Sequence, residues 1–153
     1  MGSDQEAKYI QHVVEMESCL VGGALVLPEQ IETVSEIVQR EDFRDPVLGQ
    51  VWGILEDLID AGSKVTPQVV LSEVKKRGFS DQFGKTEYGR LVVNNGLAAH
   101  LQYYAEEVAR LSNHRKMVWA ARLIGDGEFD IDFDPKKRFA EFESKTQSAF
   151  ADT

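Results

Sequence analysis

The chain has 153 residues, 42% of them hydrophobic, which is enough for a single domain with a real core. Its 26 acidic and 17 basic side chains give a net charge of −9. That is the wrong sign for a protein whose main task is gripping phosphates, so we expect little direct nucleic-acid binding. No apolar run approaches the ~18 residues of a membrane span, and the polar N-terminus predicts no secretory signal. The single Cys19 excludes an internal disulfide and suits the cytoplasm.

Helical periodicity runs through the chain, and no segment shows the sustained alternation of a strand. The pattern predicts an all-α fold with helices at 6–26, 28–39, 46–61, 67–77, 85–95, 98–125 and 135–150. Three helices begin with a capping residue followed by proline, at Asp45–Pro46, Thr66–Pro67 and Asp134–Pro135. Gly62 and Gly78 close two of them and are predicted to be left-handed.

Two adjacent glycines, Gly22 and Gly23, interrupt the apolar pattern of the first helix. Each costs roughly 1 kcal/mol relative to alanine inside a helix. We interpret the pair as a structural close-packing site, where another backbone approaches this helix. The alternative is a helix that ends near Val21.

We divide the chain into an N-terminal tail (1–12), a compact multi-helix head (13–97) and an antiparallel helical hairpin (98–150). Tight turns join the short helices of the head, which can bury a core of its own. The hairpin consists of the long helix, an acidic turn and a returning helix.

The hairpin carries more aromatic side chains than two helices can bury alone, so apolar surface is left for a partner. We therefore predict an interface at which a second copy pairs, formed by Trp119, Leu123, Phe139, Phe142 and Phe150. The alternative is that this surface packs back against the head.

Two segments resemble active-site motifs but depart from them at a key position. Gly84–Lys85–Thr86 ends like a phosphate-binding loop, but Phe79 stands where the first glycine belongs. Asp130, Asp132 and Asp134 match a calcium loop that Pro135 then breaks. We predict no catalytic residue, no cofactor site and no metal site.

Several short motifs resemble the N-terminal domain of bacterial replicative DNA helicases of the DnaB type, in the order in which that family has them. They are Glu15–Met16–Glu17 with Val21–Gly22 and Pro28–Glu29, Asp42–Phe43–Arg44 with Val51–Trp52, Thr66–Pro67 with Val70, Arg77–Gly78, and Tyr103–Tyr104–Ala105 with Val108 and Arg115. Arg44, Leu48 and Lys85 depart from the family pattern, which puts surface contacts in doubt more than the fold.

The resemblance implies an assembly and partner-docking module and no motor. In that family the helical domains form a ring collar, commonly a trimer of dimers, which docks primase or loader proteins; the ATP-hydrolysing domain follows in the chain. Partners are therefore expected to be a second copy, in a dimer or a hexameric ring, and a primase or helicase loader. Two alternatives stay open: an unrelated all-helical adaptor that dimerises, and a small helical hydrolase whose dispersed carboxylates meet across a dimer.

Overall fold

The structure, a computed structural model, describes residues 2–93 and 98–127 and, beyond them, positions 140, 141, 143, 144 and 147. Its α-helices are α1 (Gly2–Val26), α2 (Ile31–Val34), α3 (Pro46–Asp60), α4 (Pro67–Lys76), α5 (Lys85–Val93) and α6 (Leu101–Gly127). Short 3-10 helices lie at Pro28–Gln30, Arg40–Asp42 and Ala98–His100. None of the described residues forms a strand, and the predicted all-α fold is confirmed. Most of the predicted returning helix lies outside the described residues.

Local sequence chemistry sets the boundaries of α3 and α4. The Asp45 carboxylate accepts hydrogen bonds from the N–H groups of Val47 (2.9 Å) and Leu48 (3.5 Å) at the start of α3. Thr66 caps α4 in the same way, through Val69 N–H at 3.2 Å. Gly62 and Gly78 follow these helices with φ of 71° and 86°, so their predicted left-handed conformations are confirmed. The predicted cap at Asp134 lies outside the described residues.

One predicted helix, over 28–39, is wrong in its extent. The segment begins as a 3-10 helix, and α2 ends at Val34. Two hydroxyl groups compete with the helical backbone bonds: Thr33 Oγ1 donates to Gln30 O at 2.6 Å, and Ser35 Oγ donates to Glu32 O at 3.1 Å.

Contacts divide the chain into two compact units, residues 1–108 and 109–153. The first helix is at the centre of the first unit, where it packs against α3, α5 and the 3-10 helix at Ala98–His100. Leu20, Val21 and Trp52 are fully buried in this core. His12 Nε2 and Glu107 Oε2, 95 residues apart, lie 2.9 Å from each other and join α1 to the start of α6.

The tail predicted at 1–12 is helical from Gly2 and continuous with α1. The two compact units do not test the division into tail, head and hairpin, which stays a prediction. Among the described residues, no single helix is long and apolar enough to cross a membrane. Two helical segments joined at a bend, Asp4–Val26 and Pro28–Val34, meet the length and composition of a membrane span only when they are taken together.

Most of the described part of the second unit is the continuation of α6. Leu111 and Ala120 are buried there, whereas Val118 and Trp119 are 38% and 50% exposed. The second half of α6 therefore presents apolar side chains to solvent.

Candidate functional site

A buried carboxylate, Glu17, fixes the junction between α1 and α3. Its side chain is 1% exposed and accepts hydrogen bonds from two backbone N–H groups, those of Arg44 (2.6 Å) and Asp45 (3.1 Å). These donors belong to the turn whose Asp45 then caps α3. Bonds from N–H groups to a carboxylate are stronger than bonds between neutral groups. Glu17 therefore fastens the turn before α3 to the central helix.

Two adjacent shallow cavities lie along this junction. One, of about 200 Å³, is lined by Val13, Val14, Glu17, Ser18, Arg44, Asp45, Pro46 and Leu48. The other, of about 260 Å³, shares Ser18, Asp45 and Leu48 with the first and continues to Phe83 and Arg90. The three carboxylates that line the cavities, Glu17, Asp45 and Glu87, each accept backbone hydrogen bonds. The two cavities thus form a surface of mixed polarity, and their carboxylates stabilise the fold through hydrogen bonds.

The described residues do not assemble the chemistry of a metal or nucleophile site. No group of three histidine, cysteine or carboxylate side chains among them could hold a metal ion. Burial raises the pKa of the Cys19 thiol, Glu15 raises it further, and a hydrogen bond with Tyr104 opposes them. A buried thiol of raised pKa is a poor nucleophile, so Cys19 is a packing residue.

Close backbone approach occurs at a glycine that the sequence analysis did not single out. A Cβ built on Gly49 would lie 2.8 Å from the Arg40 carbonyl oxygen and 3.3 Å from Phe43 Cβ. One turn along α3, a Cβ on Gly53 would meet the end of the Arg40 side chain at 2.8 Å. These two glycines, four residues apart on one face of the helix, let the segment around Arg40 lie directly on α3. That spacing was the signal in the sequence that could have found them.

The predicted close-packing pair, Gly22 and Gly23, is buried inside α1, which continues to Val26. The alternative of a helix that ends near Val21 is therefore wrong. The close approach of another backbone to these two glycines stays a prediction.

The segment that resembles a phosphate-binding loop is built differently from one. Gly84 N–H donates to Glu87 Oε1 at 2.8 Å, at the start of α5. Hydrogen bonds from the backbone N–H groups of Gly84 and of Glu87 itself lower the pKa of this carboxyl. Burial raises it and Arg90 lowers it, and the net shift is downward. An ionised carboxylate thus holds the N–H group that a phosphate would need.

We expect no binding of magnesium-ATP by this chain. The Glu87 carboxylate already accepts the Gly84 N–H group and would repel a phosphate at the segment that resembles a phosphate-binding loop. Isothermal titration calorimetry tests this, with Lys85→Ala as the matched variant. Saturable binding of ATP that Lys85→Ala abolishes would contradict the expectation.

The predicted pairing interface can be followed in part. Trp119 is half exposed on α6, and Leu123 lies on the same helix, with its side chain outside the described set. Phe139, Phe142 and Phe150 lie outside the described residues. An interface formed by these five residues stays a prediction that rests on the exposed Trp119 and on the sequence.

Comparison with known proteins gives a consistent result. Residues 10–110 match the model of the family described as DnaB-like helicase N terminal domain. The chain is 26% identical over 122 residues to the replicative DNA helicase DnaB of Rhodothermus marinus, which covers 79% of this chain and 13% of that protein. The crystal structure of the N-terminal domain of DnaB helicase from Mycobacterium tuberculosis superposes with a TM-score of 0.77 at 25% identity, covering 88% of this chain and 96% of that one.

Proposed function

The chain belongs to the DnaB-like helicase N-terminal domain family, and from that membership we propose that it is the assembly and partner-docking domain of a replicative DNA helicase. The observation that carries the proposal is the family match over residues 10–110, which runs from α1 into α6. The match to a solved N-terminal domain along 96% of its length supports it. Family membership also removes the alternative of an unrelated helical adaptor.

The function of such a domain is mechanical and does not include the motor step. The family is an N-terminal domain, and ATP hydrolysis belongs to a separate motor domain that this chain does not include. The chain spans 13% of the curated relative it matches, so unwinding activity is proposed for a parent protein in the cytoplasm. Glu17 and the glycines of α3 support this role, because they hold a rigid head from which partners can be positioned.

The gene itself provides the direct test. We expect the native reading frame to continue past the codon for Thr153 into an ATPase domain with a phosphate-binding loop. A native stop codon at that point would contradict the helicase assignment and favour a stand-alone relative.

Self-association is the second part of the proposal. Trp119 exposes half of its surface on α6, and exposed aromatic side chains are frequent anchors of interfaces between copies. We propose that it contributes to a dimer together with Leu123, Phe139, Phe142 and Phe150, and that such dimers build a hexameric ring. Primase or a helicase loader is the proposed docking partner of the assembled domain.

Trp119→Ala is expected to weaken dimerisation roughly tenfold, because truncation removes an aromatic anchor and its buried apolar area. Sedimentation equilibrium over a concentration series measures the effect. Tyr103→Ala is the matched control, since Tyr103 is similarly exposed (53%) on the same helix but belongs to the first compact unit. A Trp119→Ala variant that associates like the parent chain, or a parent chain that is monomeric throughout, would contradict the proposed interface.

Docking of a primase or a loader can be measured directly. The primase and the helicase loader encoded in the same genome are purified, and each is titrated into this chain by calorimetry. We expect saturable binding of at least one of them, and binding of neither would contradict the docking role.

A further inference from the structure

The two adjacent cavities beside α1 form one continuous groove, because Ser18, Asp45 and Leu48 line both of them. We call it the α1 groove. One cavity has a volume of about 200 Å³ and the other of about 260 Å³. Pockets that take drug-sized ligands begin at roughly 300 Å³. Each cavity is therefore suited to an inserted side chain, and the pair is suited to two side chains of one polypeptide segment.

The walls of the α1 groove are partly apolar. Val14, on α1, is 50% exposed at the first cavity. Leu48 lies where the two cavities meet, and Leu91 of α5 lines the second. Covering exposed apolar surface is favourable in water, so the groove would gain from apolar side chains placed in it.

Backbone N–H groups already bind the carboxylates of the α1 groove. Glu17 and Asp45 each accept two of these groups, and Glu87 accepts the N–H group of Gly84. Asp45 caps α3 and Glu87 lies in the first turn of α5, so both also face the positive end of a helix dipole. These interactions offset part of the negative charge in the groove.

Two arginine side chains carry positive charge that no such partner offsets. Arg44 lines the first cavity, Arg90 lines the second, and both residues are exposed. Neither forms an ion pair with any residue that the structure describes, although Arg90 acts electrostatically on Glu87. Guanidinium groups bind carboxylates through two parallel hydrogen bonds. Each cavity is therefore accompanied by a group that would bind a carboxylate.

We propose that the α1 groove binds an amphipathic segment of a partner protein, with apolar side chains in the two cavities and aspartate or glutamate side chains on Arg44 and Arg90. The inference deepens the docking role in the proposed function and rests on it. It adds the place on the domain and the chemistry of the partner segment.

Charge outside the groove has a smaller effect on this contact. The chain carries a net charge of −9, but charges farther apart than ~8 Å are largely screened at physiological salt. A nucleic acid is the less favoured occupant, because two arginines are far fewer than the ~6 to 10 phosphate contacts of a typical DNA-binding protein.

Charge reversal tests the two arginines. The primase and the helicase loader of the same genome are each titrated by calorimetry into the full chain, and the variants are compared with whichever of them binds. Arg44→Glu/Arg90→Glu should weaken binding at least tenfold, because the carboxylates of the partner then meet carboxylates. Arg44→Lys/Arg90→Lys keeps the charge and should recover most of the affinity. Lys64→Glu/Lys75→Glu makes the same change in net charge at exposed lysines outside the groove and should stay within about twofold of the parent chain.

A substitution at Val14 tests the apolar part of the contact. Val14→Asp should weaken binding about tenfold, since it places a carboxylate at the first cavity. Val26→Asp is the matched control, because Val26 is 43% exposed on the same helix and lines neither cavity. Its affinity should stay within about twofold of that of the parent chain.

Hydrogen exchange of the complex identifies the two surfaces in contact. We expect protection of residues 13–18, 44–48 and 83–91 of this chain, and of a partner segment in which aspartate or glutamate lies among apolar residues. A partner that binds Arg44→Glu/Arg90→Glu and Val14→Asp as tightly as the parent chain, or whose protected segment is basic, would overturn the inference and leave the docking role standing. So would binding of a fluorescent oligo-dT that Arg44→Glu/Arg90→Glu abolishes without loss of partner binding, because the groove would then be a phosphate site. Binding of neither protein would contradict the docking role itself, and the inference with it.

Discussion

Glu17→Ala is expected to lower the free energy of unfolding by about 2 to 4 kcal/mol. The carboxylate is 1% exposed and accepts the backbone N–H groups of Arg44 and Asp45. Alanine leaves both donors without this acceptor and opens a void beside α1, and the two costs add. Urea unfolding followed by circular dichroism gives the difference from the shift in midpoint.

Two further variants identify the cause of that loss. Glu15→Ala removes an exposed carboxylate from the same helix and should change stability by less than about 0.5 kcal/mol. Glu17→Gln keeps the shape and one acceptor but places an amide N–H group against a backbone donor, so an intermediate loss is expected. If Glu17→Ala unfolds at the same urea concentration as Glu15→Ala, the turn before α3 does not depend on Glu17.

Gly49→Val is expected to destabilise the protein by roughly 3 kcal/mol, although valine is the better helix former. The new Cβ would lie 2.8 Å from the Arg40 carbonyl oxygen, and a backbone atom has little room to retreat. The segment over 40–43 would have to lift from α3, which loosens the contact of Phe43 with the buried Trp52, now at 5.8 Å between ring centroids. Thermal unfolding measured by calorimetry reports the loss.

The matched control for this change is Gly89→Val on α5. A Cβ at Gly89 meets nothing within 4 Å, so the same substitution should be neutral or slightly stabilising there. Gly53→Val should fall between the two, because the Arg40 side chain can swing away at the cost of its pair with Asp57. Equal melting temperatures for the variants at Gly49 and Gly89 would mean that the backbone around Arg40 yields easily.

The features that could be predicted from the sequence are those whose chemistry is local. Asp45 and Thr66 cap the helices directly behind them, and Gly62 and Gly78 end helices through their own backbone freedom. The helical period of the long helix likewise requires only neighbouring residues. A single sequence states such relations within a few positions.

The features that escaped prediction depend on partners far away in the chain. Glu17 acts on N–H groups 27 and 28 residues later, and nothing in its own neighbourhood indicates this. The motif Glu15–Met16–Glu17 marked the place by resemblance but not the role of Glu17. The close approach at Gly49 was not predicted, because the prediction rested on two adjacent glycines in α1, whereas the close approach on α3 uses glycines one turn apart.

The 2.9 Å contact between His12 and Glu107 has a consequence for how the protein is made. The central helix α1 leaves the ribosome before α6, and the α6 residue that it contacts is 95 positions further along the chain. At ~5 to 20 residues per second, roughly 5 to 20 s of synthesis separate the two. For most of that interval the apolar side of α1, with Leu20 and Val21, has no α5 to cover it. This apolar side is therefore exposed on the nascent chain until α5 has emerged, and a pause in translation before that point would favour aggregation.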